Sequence, residues 1–495
     1  MRSSVKPYDS HWLWGTLFAL IGMGLAMRFT AGAAFFLIFP MILVGFGKNR
    51  TELLLFCLML DIAMVMSNSN VIPKSGAFSI AARSVYFLVA GVMVMQMTAQ
   101  RRSRLLGPML GILVYLVYMA VVSAVGWQPL ISYLKLFLFV TVFMAFFSVA
   151  NAVASRQGVD ARKIRAICLA FAVFFLVGSV ALLPFPSLGM MRAEFYLAQG
   201  LPVPEGSLFA GMCLHSQALG PVVATIGTLV LADMLFCVRR WEKLYLLLLF
   251  CAPILIYKTG SRTAMGAYFV GVCFTTFLFI CARGVGATWK NRAAGALLML
   301  GAIGGVALVA VPQLREGVAR FVLKYASEGS GYEVTMDEVL ATRQGSMEQQ
   351  LQSFSESPVI GNGFQVSKQM EGMDVTSIGQ LLSAPVEKGV WVTAALEEGG
   401  ILGFLLLVLF FVVACIQLWE RQAYVGLSVF VVMIIMNLGE FVMFSMTSTG
   451  GLVWAMIFCG LALDSQKRRH ENAWRFSYGV GSRKPAFVEV ERRRA

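Results

Sequence analysis

The 495-residue chain is 58% hydrophobic and only 13% charged, with a formal net charge of +14. A mean hydropathy of +0.76 excludes an ordinary soluble globular domain, in which about a quarter of residues are charged. Apolar runs long enough to cross a hydrocarbon core of roughly 30 Å recur along the whole length. The expected fold class is therefore all-α, a polytopic membrane helical bundle forming a single integral membrane domain over residues 1–495.

In chain order, hydrophobic length predicts spans at Trp12 to Met27, Ala31 to Phe46, Leu53 to Met66, Ser84 to Met97, Leu105 to Val125 and Leu130 to Val153. Further spans are expected at Ile164 to Leu183, Cys213 to Val238, Leu244 to Ile256, Ala264 to Cys281 and Ala293 to Val311. Ile401 to Leu418, Ala423 to Phe444 and Leu452 to Leu463 complete about fourteen transmembrane helices. The first residues, MRSSVKPYDSHW, are basic, but no small-residue cleavage site follows the first span. That span is expected to stay in the membrane.

Lys and Arg should collect in connections on the cytoplasmic side. They fall after every second span: Lys48 and Arg50; Arg101, Arg102 and Arg104; Arg156, Arg162, Lys163 and Arg165; Arg239, Arg240 and Lys243; Arg283, Lys290 and Arg292; Arg421; then a basic cytoplasmic tail over 465–495. Connections such as Gly126 to Pro129 carry none. The expected topology has both termini cytoplasmic in a bacterial inner membrane, with a large periplasmic loop over 312–400 containing short helices. The positive charge then faces anionic membrane lipids, and nucleic acid is excluded as a partner because no compact basic domain exists to bind it.

All nine cysteines lie in or beside apolar spans, and the histidines are His11, His215 and His470. Neither a disulfide framework nor a histidine zinc site is expected, and no Walker loop or dinucleotide fingerprint is present. No metal and no cofactor are therefore predicted, so the chemistry must come from polar residues near the outer face.

Arg192 lies in the outer stretch GMMRAEFYLAQGLPVPEG, and His215 and Gln217 follow at the outer end of the next span. Lys258 and Arg262 flank the turn YKTGSR, in which Gly260 and Ser261 suit entry into a helix N-terminus. Free N–H groups beside an arginine make that terminus a natural anion site. In the long loop, Leu314 to Tyr325 has helical spacing, and Arg343 heads a helix with Met347, Leu351 and Phe354 on one face. Pro358, Gly361 and Gly363 stop that helix, and Glu387 and Lys388 precede another that re-enters the membrane at Ile401. Asp61, Lys135, Asp233 and Glu440 are charges inside spans. Lys135 and Glu440 lie toward the outer ends and are assigned to a substrate groove; Asp233 is expected to pair locally with Arg239.

These segments resemble the O-antigen ligase and O-antigen polymerase superfamily of bacterial membrane glycosyltransferases. The resemblance runs from Arg192 to Leu463 and rests on order: GMCLHSQALG opening a span from Gly211, and Ser261–Arg262 entering another. It continues with an arginine-headed loop helix running into a P-x-x-G-x-G turn, Arg343 to Phe364, and then Glu398 before Gly400 and Gly403. Family ligases place a histidine and an asparagine some nine residues before that glutamate; here Lys388, Gly389 and Val390 stand there. The departure points away from lipopolysaccharide ligation and toward an exopolysaccharide or O-antigen polymerase branch.

The resemblance implies a metal-independent transfer of a glycan from undecaprenyl diphosphate to an acceptor hydroxyl. Arg192 and Arg262, with Arg343 or Lys388, would hold the diphosphate, since planar guanidinium donors match phosphate oxygens. Glu387 would take the acceptor proton, with Glu398 as the orienting alternative. His215, Gln217, Lys258, Lys135 and Glu440 would line the groove. A chain-length regulator and a flippase are the pathway partners such a family implies. Two other classes fit the span count: a lipid-linked oligosaccharide flippase or other multi-span transporter, which would favour broken helices and repeats, and a non-catalytic scaffold of a polysaccharide machine.

Overall fold

The computed structural model describes residues 7–26, 50–72, 106–155, 160–190, 209–282, 285–310, 336–368, 389–445 and 449–477. These residues are helical, with no β-strand among them beyond the isolated bridges Ser67–Cys213 and Met190–Phe209. The spans expected at Ala31 to Phe46 and Ser84 to Met97, and the helix expected at Leu314 to Tyr325, lie outside the described residues.

Helices α1 (Ser10–Ala26) and α2 (Arg50–Met66) come first. Helix α3 (Gly107–Val125) opens with a 3-10 turn, and α4 (Pro129–Ser155) folds back along it. Helices α5 (Ala161–Ala181) and α6 (Ser216–Val238) each contain a π-helical turn, at Val173–Val177 and Met234–Val238. Then follow α7 (Lys243–Thr259), α8 (Arg262–Cys281), α9 (Ala287–Ala310) and α10 (Met336–Glu356). Helices α11 (Trp391–Glu420), α12 (Tyr424–Asn437) and α13 (Thr449–Ser477) complete the order. Six of these, α3, α4, α5, α6, α8 and α11, are long and apolar enough to cross a membrane. The chain is thus built as a helical membrane protein.

Helix α6 occupies the centre, and between Ser216 and Asp233 every residue except Gln217 is buried. Its glycines allow this, because a Cβ at Gly220 would lie 2.8 Å from that of Ser261, and one at Gly227 would lie 2.8 Å from the Tyr268 ring. Small residues at such contacts let helices approach where no water is available to drive them together. Between α4 and α13, Phe143 meets Trp454 and Phe458 edge-on at 5.0 and 5.2 Å. The outer faces stay apolar, with Val117 and Val121 on α3, Phe269 on α8 and Leu405 and Leu409 on α11 all exposed. Apolar faces of that extent belong against lipid.

Three features differ from expectation, two at helix boundaries and one on a helix face. Helix α12 stops at Asn437 rather than Phe444, because the Asn437 side-chain Oδ1 accepts the Met443 N–H at 3.1 Å and turns the chain. Helix α11 begins at Trp391 rather than Ile401 and is broken at Gly400, whose φ of 62° and ψ of −168° leave the helical region. Among the described side chains of α10, Gln350 and Ser353 are buried while Leu351 is exposed. Hydrogen bonds from Thr393 to Gln350 (2.5 Å) and from Asn362 to Ser353 (3.0 Å) outweigh the apolar pattern.

The end of the bundle opposite the long loop is fastened by buried ions. Asp233 is paired, but with Arg165 of α5: Nε and Nη2 donate to its two oxygens at 2.7 and 3.0 Å. Tyr245 donates to the same carboxylate at 2.6 Å, and Arg165 also donates to the Pro7 carbonyl. Arg239, the expected partner, takes a left-handed backbone at the end of the π turn and donates to Phe236 O. At the same end, the Asp464 carboxylate caps α12 by accepting the Val425 and Gly426 N–H groups, each at 3.0 Å.

Candidate functional site

The other end of the bundle gathers most of the described residues singled out above. The α3–α4 turn and the loop tip that follows α10 are interlocked there. The Trp127 N–H donates to Asn362 O at 2.8 Å, Ser132 Oγ donates to Phe364 O at 3.1 Å, and Lys135 Nζ donates to Gln365 O at 3.0 Å. The Phe364 ring is fully buried and lies 5.1 Å from Phe444 and 5.9 Å from Phe139. An aromatic side chain thus carries the loop into the core while backbone hydrogen bonds hold its depth.

The loop tip also repairs the broken helix. Interrupting α11 at Gly400 frees carbonyls that would otherwise need intrahelical partners. Asn362 N and Gly363 N donate to Glu397 O and Glu398 O, both at 2.9 Å, and Tyr118 donates to Gly399 O at 2.8 Å. Ile401 N donates back to Pro358 O at 2.9 Å. The fit requires glycine on both sides, because a Cβ at Gly361 would meet Glu398 O at 2.4 Å and one at Gly400 would meet Val359 O at 2.3 Å. Both glycines have positive φ, at 80° and 62°.

Two consecutive carboxylates are sealed at this junction. Glu397 and Glu398 are each 0% exposed, and Ser367 Oγ donates to Glu397 Oε1 at 2.5 Å. Glu398 lies within electrostatic reach of Tyr115. The Tyr115 ring stacks on Phe444 with centroids 5.5 Å apart. Phe444 follows Glu440 four residues on in the chain, so an aromatic layer links the two carboxylate regions.

Glu440 meets the α7–α8 turn. Ser261 caps α8 by accepting the Ala264 N–H at 3.3 Å and donates to Glu440 Oε1 at 3.3 Å. Gly439 packs so closely on Thr263 that a Cβ there would lie 2.1 Å from its hydroxyl oxygen. An internal carboxylate therefore already sits one hydroxyl away from the helix terminus expected to attract anions. Arg262 at that terminus is half-buried, and Lys258 is exposed on the last turn of α7.

His215 is the N-cap of α6, with Nδ1 accepting the Ala218 N–H at 3.0 Å, and Gln217 beside it is exposed. The neighbouring connection is fastened by Asn68, whose Nδ2 donates to Leu188 O and Gly211 O, each at 2.8 Å. Arg192, Glu387 and Lys388 lie outside the described residues. Arg343 lies on the α10 backbone, and its side chain is likewise outside them.

Reading the sequence missed Glu397, Ser367, Gln365 and Tyr118. The Glu-Glu-Gly-Gly string was the available signal, since glycines following a carboxylate pair inside an apolar run mark a possible helix break. Nothing in the sequence marked Gln365, which acts through its backbone oxygen. Among the described residues, no group of three or more His, Cys, Asp and Glu side chains could hold a metal ion.

No protein-family model matches the chain. No curated protein sequence matches it either.

Proposed function

We propose that the chain is a membrane glycosyltransferase of the polysaccharide polymerase or ligase kind, transferring an undecaprenyl-diphosphate-linked glycan to an acceptor hydroxyl. The loop-bearing end would be the periplasmic face of a bacterial inner membrane, with both termini on the cytoplasmic side. The observation that carries the reading is the sealed junction of the loop tip with the Gly400 break, which buries Glu397 and Glu398 at the end that also bears Lys135, Arg262 and Glu440.

In the proposed step, the acceptor oxygen attacks the anomeric carbon, the bond from that carbon to the phosphate oxygen breaks, and the lipid diphosphate departs. The acceptor proton passes to a carboxylate, assigned to Glu387. Arg192 and Arg262, with Arg343 or Lys388, neutralise the departing diphosphate. Glu398 is assigned an orienting role, because its segment bears the docked loop.

The Gly400 break favours a second reading, a lipid-linked oligosaccharide flippase or other transporter, since discontinuous helices are common around transport sites. In such sites, unwound carbonyls face a cavity. Here the Glu397, Glu398 and Gly399 carbonyls accept from the loop tip and Tyr118, which supports the glycosyltransferase reading.

The test is release of undecaprenyl diphosphate from the host's lipid-linked oligosaccharides by purified protein, comparing wild type with Arg262→Ala at matched expression. Turnover with glycan lengthening, lost in the variant, supports the proposal. No turnover, with measurable movement of lipid-linked substrate across vesicles, selects the transporter.

A further inference from the structure

We propose that the loop tip at Val359 and Ile360 is a membrane-immersed anchor whose partner is the acyl-chain surface of the bilayer. This inference needs only that α3 and α11 cross a membrane, so it stands apart from the glycosyltransferase reading.

Depth is the first argument. Tyr118, which donates to Gly399 O beside the tip, precedes the end of α3 at Val125 by seven residues, roughly 10 Å of helix. Lys135, which holds Gln365 O, follows the start of α4 at Pro129 by six residues, roughly 9 Å. On α11, the stretch from Ile401 to Glu420 is by itself roughly 30 Å long, enough to cross the hydrocarbon core. The tip, bonded to Ile401 N through Pro358 O, therefore meets α11 where that crossing begins.

Chemistry is the second. Val359 and Ile360 are 54% and 44% exposed, although both are apolar. Beside them, Ile401, Leu402 and Leu405 are 42%, 46% and 53% exposed, and Val117 and Val121 next to Tyr118 are 66% and 65% exposed. The tip side chains thus continue the apolar faces of α3 and α11. The charges that flank this apolar tip, Glu356 at the end of α10 and Lys368 beyond it, pair with each other.

Backbone satisfaction is the third. Non-helical backbone at membrane depth must find partners within the protein. Pro358 has no N–H and its oxygen accepts from Ile401; Gly361 N donates to Ser357 O at 2.9 Å, and Ser357 Oγ donates to Gly361 O at 3.1 Å. Asn362 N and Gly363 N are taken by the broken helix. The backbone on both sides of Val359 and Ile360 is thus held within the protein.

The test places a nitroxide label at Val359→Cys and, separately, at Ile360→Cys in the full chain reconstituted in phosphatidylethanolamine and phosphatidylglycerol vesicles. The background carries Ser at the exposed Cys273 and Cys281 and is measured in parallel. Ser355→Cys, exposed on the last turn of α10, is the water-side reference. Collisions with oxygen, which partitions into lipid, are compared with collisions with a water-soluble nickel chelate. The proposal expects the oxygen-to-nickel ratio at both tip positions to exceed that at Ser355→Cys several-fold. Equal ratios at the three positions would overturn it, and two independent tip labels keep the test decisive if one variant folds poorly.

Discussion

The Lys135 ammonium donates to the Gln365 carbonyl at 3.0 Å, joining a cation inside α4 to the backbone of the long loop. The side chain is only 4% exposed, so this contact is made without bulk water. A hydrogen bond from a charged group contributes about 1.5–3 kcal/mol. Lys135→Met is expected to lose about that much stability and to open residues 357–368 to proteolysis, while Lys135→Arg retains part of both. Thermal unfolding in detergent with limited proteolysis checks it; equal protection of the loop in Lys135→Met would refute the docking role.

Gly400→Ala should damage the junction through sterics rather than charge. The new methyl would lie 2.3 Å from Val359 O at a φ of 62°. Held backbone strain costs about 1–3 kcal/mol, and the displaced loop tip adds to it. Gly361→Ala should behave alike, because its Cβ faces Glu398 O. Gly266→Ala, with nothing within 4 Å, is the control and should leave the melting temperature unchanged. A neutral Gly400→Ala would mean that the break is not required.

Helix existence was legible because lipid demands long apolar runs, and α3, α4 and α8 lie close to their expected limits. The turn chemistry of Gly260 and Ser261 was legible too, since a left-handed glycine followed by a capping serine is a local device. What escaped was tertiary. Hydropathy ran straight through Asn437 and Gly439 because their effect depends on Met443 and Thr263. Likewise, Leu351 fitted the helical spacing expected of α10, yet Gln350 is buried because Thr393, on another helix, supplies a partner. Asp233 bonded to a residue 68 positions away, which local charge pairing cannot anticipate.

Glu397 and Ser367 should act as a coupled pair. Their 2.5 Å hydrogen bond joins α11 to the loop in a fully buried site. Ser367→Ala leaves a buried acceptor to be satisfied otherwise, at about 1–3 kcal/mol. Once Glu397→Gln is present, Ser367→Ala should cost less. A double-mutant cycle on unfolding free energy reads the coupling, and additive losses would argue against it.

Asp160 supplies a pH-dependent cap outside the membrane. It accepts the Arg162 N–H at 2.9 Å at the start of α5 and is bonded by the Arg162 guanidinium. Partial burial works to raise its pKa, but the Arg162 hydrogen bonds and the Arg162 and Lys163 charges outweigh that and hold it below the usual value. A carboxyl depressed in the folded state contributes stability that is fully present above its unfolded pKa of about 3.9 and is lost as pH falls through the folded value. Asp160→Ala should therefore cost about 0.5–2 kcal/mol at neutral pH, the usual value of a cap, and the deficit should shrink in acid. A deficit that grows on acidification would contradict the assignment.

Arg165 and Asp233 give the sharpest test of the opposite end. Their two hydrogen bonds and the Tyr245 hydroxyl leave the carboxylate well solvated by protein, so the pair is stable only as a pair. Removing one charge strands the other in an apolar interior, at about 3–5 kcal/mol. Asp233→Leu and Arg165→Met should each destabilise strongly, and Arg165→Met should also release the segment at Pro7, whose carbonyl the guanidinium holds at 2.7 Å. The double variant buries no stranded charge and should recover much of the loss, even though both hydrogen bonds are gone. Unfolding in detergent across the four proteins distinguishes this from simple loss of the shared contacts, for which the double variant would be at least as unstable as either single variant.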